Sequence, residues 1–320
     1  MRPLSLVIPS YNRPDLLRLC LASIVRHAPP GTEVLVVDDG SPDHCISAAA
    51  SSFDKVRVLR MHSRQGFCVS ANAGVRAATS EFVELLNDDT QVTAGWAEAA
   101  LAALARPGVA AVAPLVLIGP DPAGDPIVDS AGDRYFVGGI AGKRGHGETL
   151  RADHLKSRLV FGASGSSAFY RRSAFLAVGA FPESFTEYFE DVDLAFRLHR
   201  AGWQIYFEPA SRVWHRVSSS YGKPSGDLLQ RQSRNEERVF WRNLPRGVLL
   251  RALPMHLAVV AAKGWRRLCE GTLLPFLRGK LSLLNEIPEL CRDRKGLGRL
   301  SRPLAMRNWD VEARFWLGAR

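Results

Sequence analysis

The chain has 320 residues, enough for one large domain or two ordinary ones. Apolar residues make up 46% and charged ones 23%, which excludes a disordered, fibrous or disulfide-scaffold protein. The net charge of +10 is unevenly placed: residues 216–320 carry 21 basic and 9 acidic side chains, net +12, whereas residues 1–215 carry 21 and 23, net −2.

Residues 4–8 form a short apolar run ending at Pro9, the composition of a buried strand, and residues 1–12 are too brief for a signal-peptide core. Asn12 is expected to cap the next helix, with Pro14 near its first turn and Leu16, Leu17, Leu21, Ile24 and Val25 at helical spacing. Residues 33–37 predict a second strand, stopped by Asp38-Asp39-Gly40-Ser41-Pro42, and residues 55–59 a third. A helix over 67–78 and a strand over 82–86 follow, the latter stopped by Asn87-Asp88-Asp89. Alternating strands and helices predict parallel βαβ units, whose ligands sit beyond the carboxyl ends of the strands. Next come an alanine-rich helix (96–105), an apolar strand (109–118) and a Gly-, Pro- and Asp-rich loop and hairpin (119–147). Residues 159–170 hold Gly162, Gly165, Ser166 and Ser167, small enough to let a ligand approach the backbone. A helix over 190–201 ends at Gly202, and a strand is expected near 204–207.

The five cysteines form no CxxC pair and no zinc-like spacing, which reads as reduced thiols in a cytosolic compartment. The most apolar C-terminal stretch, 252–262, is interrupted by Pro254 and His256 and falls short of the roughly 20 residues that span a bilayer. The expectation is a protein without a membrane-spanning segment.

Three acidic constellations carry chemistry. Asp38-Asp39 alone reads equally as a turn, but a second acidic pair, Asp88-Asp89, at another strand end places several carboxylates on one sheet edge, where repulsion is costly unless a cation is present. One or two carboxylates plus substrate phosphates are how Mg2+ or Mn2+ is held. Glu190-Asp191-x-Asp193 opens a helix, whose dipole favours ionised carboxylates. Asp193 and Arg197, at i, i+4, form an expected ion pair. That leaves Asp191 for general-base work or for plain charge stabilisation of the helix. His215, a surface or core histidine on its own, becomes a candidate ligand if a metal lies nearby.

Together these segments (Val7-Ile8-Pro9-Ser10-Tyr11-Asn12-Arg13, Val37-Asp38-Asp39-Gly40-Ser41, Gly66-Phe67 with Asn72, Leu86-Asn87-Asp88-Asp89, and Glu190-Asp191-Val192-Asp193 with Arg197) resemble family 2 of the glycosyltransferases over residues 4–243. Within the family they look most like bacterial rhamnosyltransferase-type enzymes that build surface polysaccharides. The resemblance implies an α/β GT-A fold, a Rossmann-like, mostly parallel sheet with a C-terminal helical extension. It implies base and ribose contacts from Pro9, Tyr11, Asn12 and Asp38 or Asp39, and a segment of Gly66, Phe67 and Asn72 that closes over the nucleotide. It also implies a metal motif at Asn87-Asp88-Asp89, with Asp89 as ligand, Asp88 toward ribose or metal, and His215 completing the site. Asp191 would be the general base beside Glu190, and Gly165 and Ser166 would line the sugar pocket. Asn87 stands where many members have Asp, and supplies no charge to a cation.

The implied reaction is inverting transfer of a sugar, rhamnose among the candidates, from a nucleotide-diphosphate donor to a lipid-linked or cell-envelope glycan, with Mn2+ or Mg2+ on the diphosphate. A non-catalytic nucleotide-sugar-binding or scaffold protein of the same fold is the alternative. The catalytic domain is expected over 1–215. Residues 216–320 are expected as a basic amphipathic helical region in which Trp265 and Phe276 sit among Arg251, Lys263, Arg266, Arg267, Arg278 and Lys280. Such segments lie in a bilayer interface, which would place the protein at the cytoplasmic face of the cell membrane. Packing on the body or a homodimer contact is the alternative for this region. Its aromatic residues fall among aliphatic runs rather than on a stacking platform, so nucleic acid is not an expected partner.

Overall fold

The computed structural model describes residues 4–119, 124–216 and 225–295; the parts of the basic tail at 217–224 and 296–320 lie outside the described residues. Strand β1 (Ser5–Ser10) is buried along its whole length and leads into helix α1 (Pro14–His27), β2 (Glu33–Asp38), a short α2 (Cys45–Ser51), β3 (Val56–Arg60), α3 (Phe67–Ala77) and β4 (Phe82–Leu86). A short β5 (Thr90–Val92), α4 (Trp96–Leu104) and β6 (Val109–Ile118) follow. The segment read as loop and hairpin contains β7 (Ile127–Ser130) and the hairpin β8 (Asp133–Phe136) with β9 (Ile140–Lys143). Then come β10 (Arg158–Val160), β11 (Ser167–Arg171), α5 (Arg172–Ala177), α6 (Glu190–Arg200) and β12 (Gln204–His215), the last much longer than the strand expected at 204–207. Helices α7 (Gly226–Asn243), α8 (Arg246–Cys269), α9 (Leu273–Ser282) and α10 (Ile287–Lys295) complete the described residues.

Strands with both faces apolar must be covered on both sides. In β1, Leu6 and Ile8 join the cluster of α1 residues Leu17, Leu21 and Ile24, whereas Val7 joins the α3 residues Cys68, Ala71 and Val75. This is the period of two expected of a strand sandwiched between helices. The strand order is β10-β12-β6-β11-β4-β1-β2-β3. Strands β3, β2, β1 and β4 are parallel, β6 and β12 are parallel to each other, and β11 runs antiparallel between β4 and β6. The sheet is mixed, with β5, β7, β10 and β11 antiparallel to their neighbours, and the fold is α/β as expected. What sequence periodicity did not show is the reversed strand β11, which starts at the edge where β1, β2 and β4 end.

One local expectation is corrected. Asn12 does not cap α1: the cap position is Arg13, without a side-chain cap bond, and Asn12 adopts φ +54° with its N–H donating to Ser41 Oγ at 3.1 Å. Packing continues from the catalytic body into α7. Val239 and Phe240 of α7 belong to the main core, and Asn235 Nδ2 donates to the carbonyls of Phe185, Glu187 and Tyr188. Behind α7, a buried ionic group ties the last helices together. Glu236 accepts from Lys280 (3.0 Å) and pairs with Lys263, while Glu237 accepts from Lys280 (2.7 Å) and pairs with His256 (3.0 Å). The His256 ring also stacks on Phe240, 3.7 Å between centroids.

Helix α3 approaches β1 and β2 through Gly74, where a Cβ would lie 2.3 Å from Val7 Cγ1 and 2.9 Å from Val37 Cγ2. Both valines are fully buried and cannot give way. Gly74→Ala is therefore expected to lower stability by about 1–3 kcal/mol through overpacking, outweighing the helix propensity gained. A urea denaturation midpoint equal to wild type would contradict this packing account.

Candidate active site

The carboxyl ends of β1, β2 and β4, the start of β11 and the end of β12 meet at one edge of the sheet, and they open onto a cleft of about 1340 Å3. Small-molecule pockets typically enclose roughly 300–1,000 Å3, so this cleft has room for two reactants.

At one end, the β2 terminus supplies two aspartates with different tasks. Asp38 is fully buried and does not line the cleft: it accepts from Ser41 N–H (2.8 Å), Ser47 and Arg60 (2.6 Å). Burial raises its pKa, but these donors outweigh burial and hold the carboxyl below its ordinary value. Asp39 lines the cleft and accepts from the Gln65 N–H (2.8 Å), the Gly66 N–H (2.9 Å) and Ser70 Oγ (2.8 Å), fixing the turn that starts α3. Gly66 is required there: its φ is +92°, and a Cβ would meet Thr186 Cγ2 at 2.5 Å. Beside it, the Arg64 guanidinium lies 4.3 Å above the Tyr11 ring. Pro9, Tyr11, Asn12, Gly66 and Phe67 all line this end. Asn72 does not; it is buried under α3, exchanging hydrogen bonds with the Phe181 backbone at 2.9 Å.

In the middle, Asp88 and Asp89 diverge. Asp88 is fully buried, bonded by Ser10 Oγ and paired with Arg13; burial pushes it up to about 6 against the pull of those partners. It lies behind the cleft wall, one residue before the cleft-lining Asp89. Asp89 does face the cleft, with Arg13 Nη1 3.2 Å away and His215 Nε2 3.3 Å away. The other ring nitrogen of His215 lies 3.0 Å from Asp129, a buried carboxylate that also binds Lys143 Nζ at 2.9 Å. Burial disfavours the charged imidazole, yet Asp129 and Asp89 outweigh it and raise His215 to about 9. Asn87 lines the cleft beside Asp89.

At the catalytic rim, the reversed β11 brings the Gly165 N–H to Asp191 Oδ2 (2.9 Å), while Asp191 Oδ1 accepts from Val192 N–H (2.8 Å). Burial raises the pKa of Asp191 despite these bonds. Glu190 lines the same rim, and its Oε2 is buried without a hydrogen-bond partner. Burial, then the Asp191 charge, push Glu190 well above the usual carboxylate range. Asp193 faces away, fully buried, and binds Arg197 Nε (2.7 Å) and Asn243 Nδ2 (2.7 Å). It ties α6 to α7, and its pairing with Arg197 agrees with the helical spacing. Gly165 and Ser166 line the pocket.

The structure thus gathers Asp89, Glu190, Asp191 and His215 in one cleft with Asp39 and Tyr11, and leaves Asp38, Asn72 and Asp88 as wall supports. Sequence reasoning missed Asp129, Asp133 and Lys143, all from the segment read as loop and hairpin. Asp133 lines the cleft, and burial and then the Asp191 charge push it up to about 8. No spacing rule finds these residues, because only the pairing of β7 with β6 and the β8–β9 hairpin bring them to the edge.

The His215 shift has a measurable sign. Its pKa in the folded state exceeds the ordinary 6.5, so protonation stabilises the fold in full below pH 6.5 and this contribution is lost as pH rises through about 9. Without divalent cations, the denaturation midpoint is expected to fall across that window, and His215→Gln to flatten the fall. Identical pH profiles would refute the pairing.

The profile of "Glycosyl transferase family 2" matches residues 5–179. The chain is 32% identical to "Uncharacterized protein y4gI" of Sinorhizobium fredii, over 68% of this chain but a quarter of that protein's length. It is 29% identical to the "N-acetylglucosaminyl-diphospho-decaprenol L-rhamnosyltransferase" of Mycobacterium tuberculosis, covering 71% of this chain and 80% of the relative. Among solved structures, GalNAc-T7 with UDP, GalNAc and Mn2+ superposes with a TM-score of 0.59 at 17% identity, over 75% of this chain and 49% of that one, a likeness of GT-A fold. With the family profile spanning more than half of the sequence, the chain belongs to glycosyl transferase family 2 and is a glycosyltransferase.

Proposed function

We propose that this glycosyltransferase moves a sugar, rhamnose being the first to test, from a nucleotide-diphosphate donor to a hydroxyl of a lipid-linked or cell-envelope glycan, with inversion. The observation that carries the reading is that Asp191 and Asp89 open onto the same cleft as the Tyr11–Asp39 end. The base and ribose of the donor lie at Pro9, Tyr11, Asn12 and Asp39, under Gly66 and Phe67, and the sugar against Asn87, Gly165 and Ser166. The relative that builds on a decaprenol-diphosphate-linked sugar supports the acceptor class.

Asp191 takes the proton from the acceptor hydroxyl, whose oxygen forms the new bond to the anomeric carbon as the bond to the diphosphate oxygen breaks on the opposite face. A pKa raised by burial makes Asp191 a better base than an exposed aspartate. The Gly165 amide fixes one of its oxygens, so the carboxylate is aimed before the acceptor arrives. Neighbouring Glu190 is pushed well above the usual range, so a single negative charge is favoured at this pair.

The cation question turns on the donor set. Asp89 and His215 face each other at the cleft, and among the described residues no group of three or more His, Cys, Asp or Glu is placed to hold an ion. Two protein donors fit a hard cation that takes its remaining oxygens from a diphosphate, with His215 giving up its proton to ligate. Asp89 and His215 would hold Mn2+ or Mg2+ there, which would supply Lewis-acid neutralisation of charge on the diphosphate.

The C-terminal helices supply the membrane contact in this reading. Helix α8 has 24 residues and a window of mean hydropathy 1.3, of which 17% is buried, so by length and composition it is able to cross a membrane, contrary to the expectation from residues 252–262. One face is nevertheless docked on the body through Ala252, His256 and Val259. The opposite face exposes Leu250 (73%), Leu257, Trp265 (69%) and Leu268, and α9 exposes Leu274 and Leu281. A helix apolar on the outside, charged at its end and ion-paired on the inside suits a position in the interface, at the cytoplasmic face of the cell membrane.

In a screen of UDP-, dTDP- and GDP-sugars with Mn2+ or Mg2+, wild type is expected to release nucleotide diphosphate in step with transfer. Asp191→Asn should lose about 10²–10⁴-fold in rate while still binding nucleotide. An unchanged rate would make the protein a sugar-nucleotide-binding or scaffold protein. Separately, the double variant L257E/W265E should partition at least about tenfold less onto vesicles containing anionic phospholipid. Unchanged partitioning, with a shift from dimer to monomer in gel filtration, would assign the same face to a homodimer.

A further inference from the structure

We propose that the end of α8 is the subsite for the diphosphate of a lipid-linked acceptor, with Arg266 and Arg267 as its anion-binding pair and a side groove as the seat of the first apolar units of the lipid. This rests on the glycosyl-transfer reading above and adds where its acceptor is held.

The main cleft does not end at Asp191. It continues past Tyr188 and Phe189 to Leu228 and Arg231 of α7 and to Arg266 and Arg267 of α8. A second cavity of about 360 Å3 shares Tyr188, Phe189, Arg266 and Arg267 with the cleft and runs on to Ala262 and Phe276. The two arginines therefore stand at the junction of the reaction cleft and a groove in which Phe189, Leu229, Ala262 and Phe276 alternate with polar side chains.

Charge separates the two parts. The middle of the cleft presents the carboxyl groups of Asp89 and Asp191, whereas the α8 end presents guanidinium groups. Arg266 Nε and Arg267 Nη1 each contact one surface carboxylate, that of Glu270, at 2.7 and 2.8 Å, and both side chains remain part-exposed. One carboxylate shared by two guanidiniums is outmatched by a diphosphate, whose several oxygens engage both forks at once. The acidic group in the groove wall, Glu236, is neutralised by Lys263 and Lys280.

The ligand class follows from both walls together. A neutral lipid does not call for two arginines, and a free diphosphate does not call for the apolar side chains of Phe189, Leu229, Ala262 and Phe276; a diphosphate joined to an apolar chain uses both. The apolar row at Leu250, Leu257, Trp265 and Leu268 on the other side of the same helix would keep the groove beside the bilayer.

The test is calorimetric titration of the full chain with farnesyl diphosphate as probe. Wild type should bind it at least about tenfold more tightly than farnesol or inorganic pyrophosphate. R266Q/R267Q should weaken it about tenfold or more, and R266K/R267K, which keeps charge but not the fork, should fall between. UDP, dTDP and GDP titrated in turn report the Tyr11–Asp39 end, which the variants leave unchanged. Equal affinity of wild type and R266Q/R267Q for farnesyl diphosphate, or its displacement by the nucleotide that binds, overturns the subsite while nucleotide binding stands. A wild type that binds none of the nucleotides overturns the transferase reading instead.

Discussion

Mutual repulsion among carboxylates is the constraint on which this structure turns. Parallel strands deliver Asp38, Asp39, Asp88 and Asp89 to one edge, the hairpin region adds Asp129 and Asp133, and α6 adds Glu190 and Asp191. Like charges this close cannot all be ionised without partners. The fold gives each a different remedy. Asp39 is held by backbone amides and a serine, Asp88 by Arg13, Asp129 by Lys143 and His215, and Asp191 by the Gly165 amide. Glu190 and Asp133 are driven toward the neutral acid by burial and by Asp191. The result is an acidic rim in which Asp89 and Asp191 line the cleft and the remaining charge is contained.

The reversed strand β11 gives that rim its geometry. A parallel strand in the same slot would end at this edge; an antiparallel one begins there, so the turn before it, Ser164 to Ser166, lies at the catalytic rim. The Asn87 N–H donates to the Ser166 carbonyl at 3.0 Å, which ties this turn directly to the acidic strand end. Positioning of the candidate base therefore depends on strand direction, a property of the whole sheet.

Much of this was legible in the sequence because it is local. The βαβ alternation, the strand ends and the Asp193–Arg197 pair follow from periodicity and spacing, and the motif order pointed to the family. The positions of Asp38, Asn72 and Asp88 were not legible. Side chains in motifs that touch a site and side chains that brace it share the same letters and differ only in which way the chain turns after the strand. Asp129 illustrates the reverse failure: an aspartate in a Gly- and Pro-rich stretch becomes the partner of His215 only through the pairing of β7 with β6. The packing of helix α7 was not legible for a related reason, since its charged sequence concealed Val239 and Phe240, which complete the core.

The ionic group of Glu236, Glu237, His256, Lys263 and Lys280 joins the last helices through charges withdrawn from solvent, whereas any attraction between the outer arginines and an anionic leaflet is exposed to it. Mobile ions screen the second kind of contact over a Debye length of about 8 Å at physiological salt and scarcely reach the first. Raising ionic strength would therefore weaken the charged share of the proposed lipid contact, leaving its apolar share and the wall formed by α7, α8 and α9 in place, so that surface attachment and the integrity of the cleft answer to different physical controls.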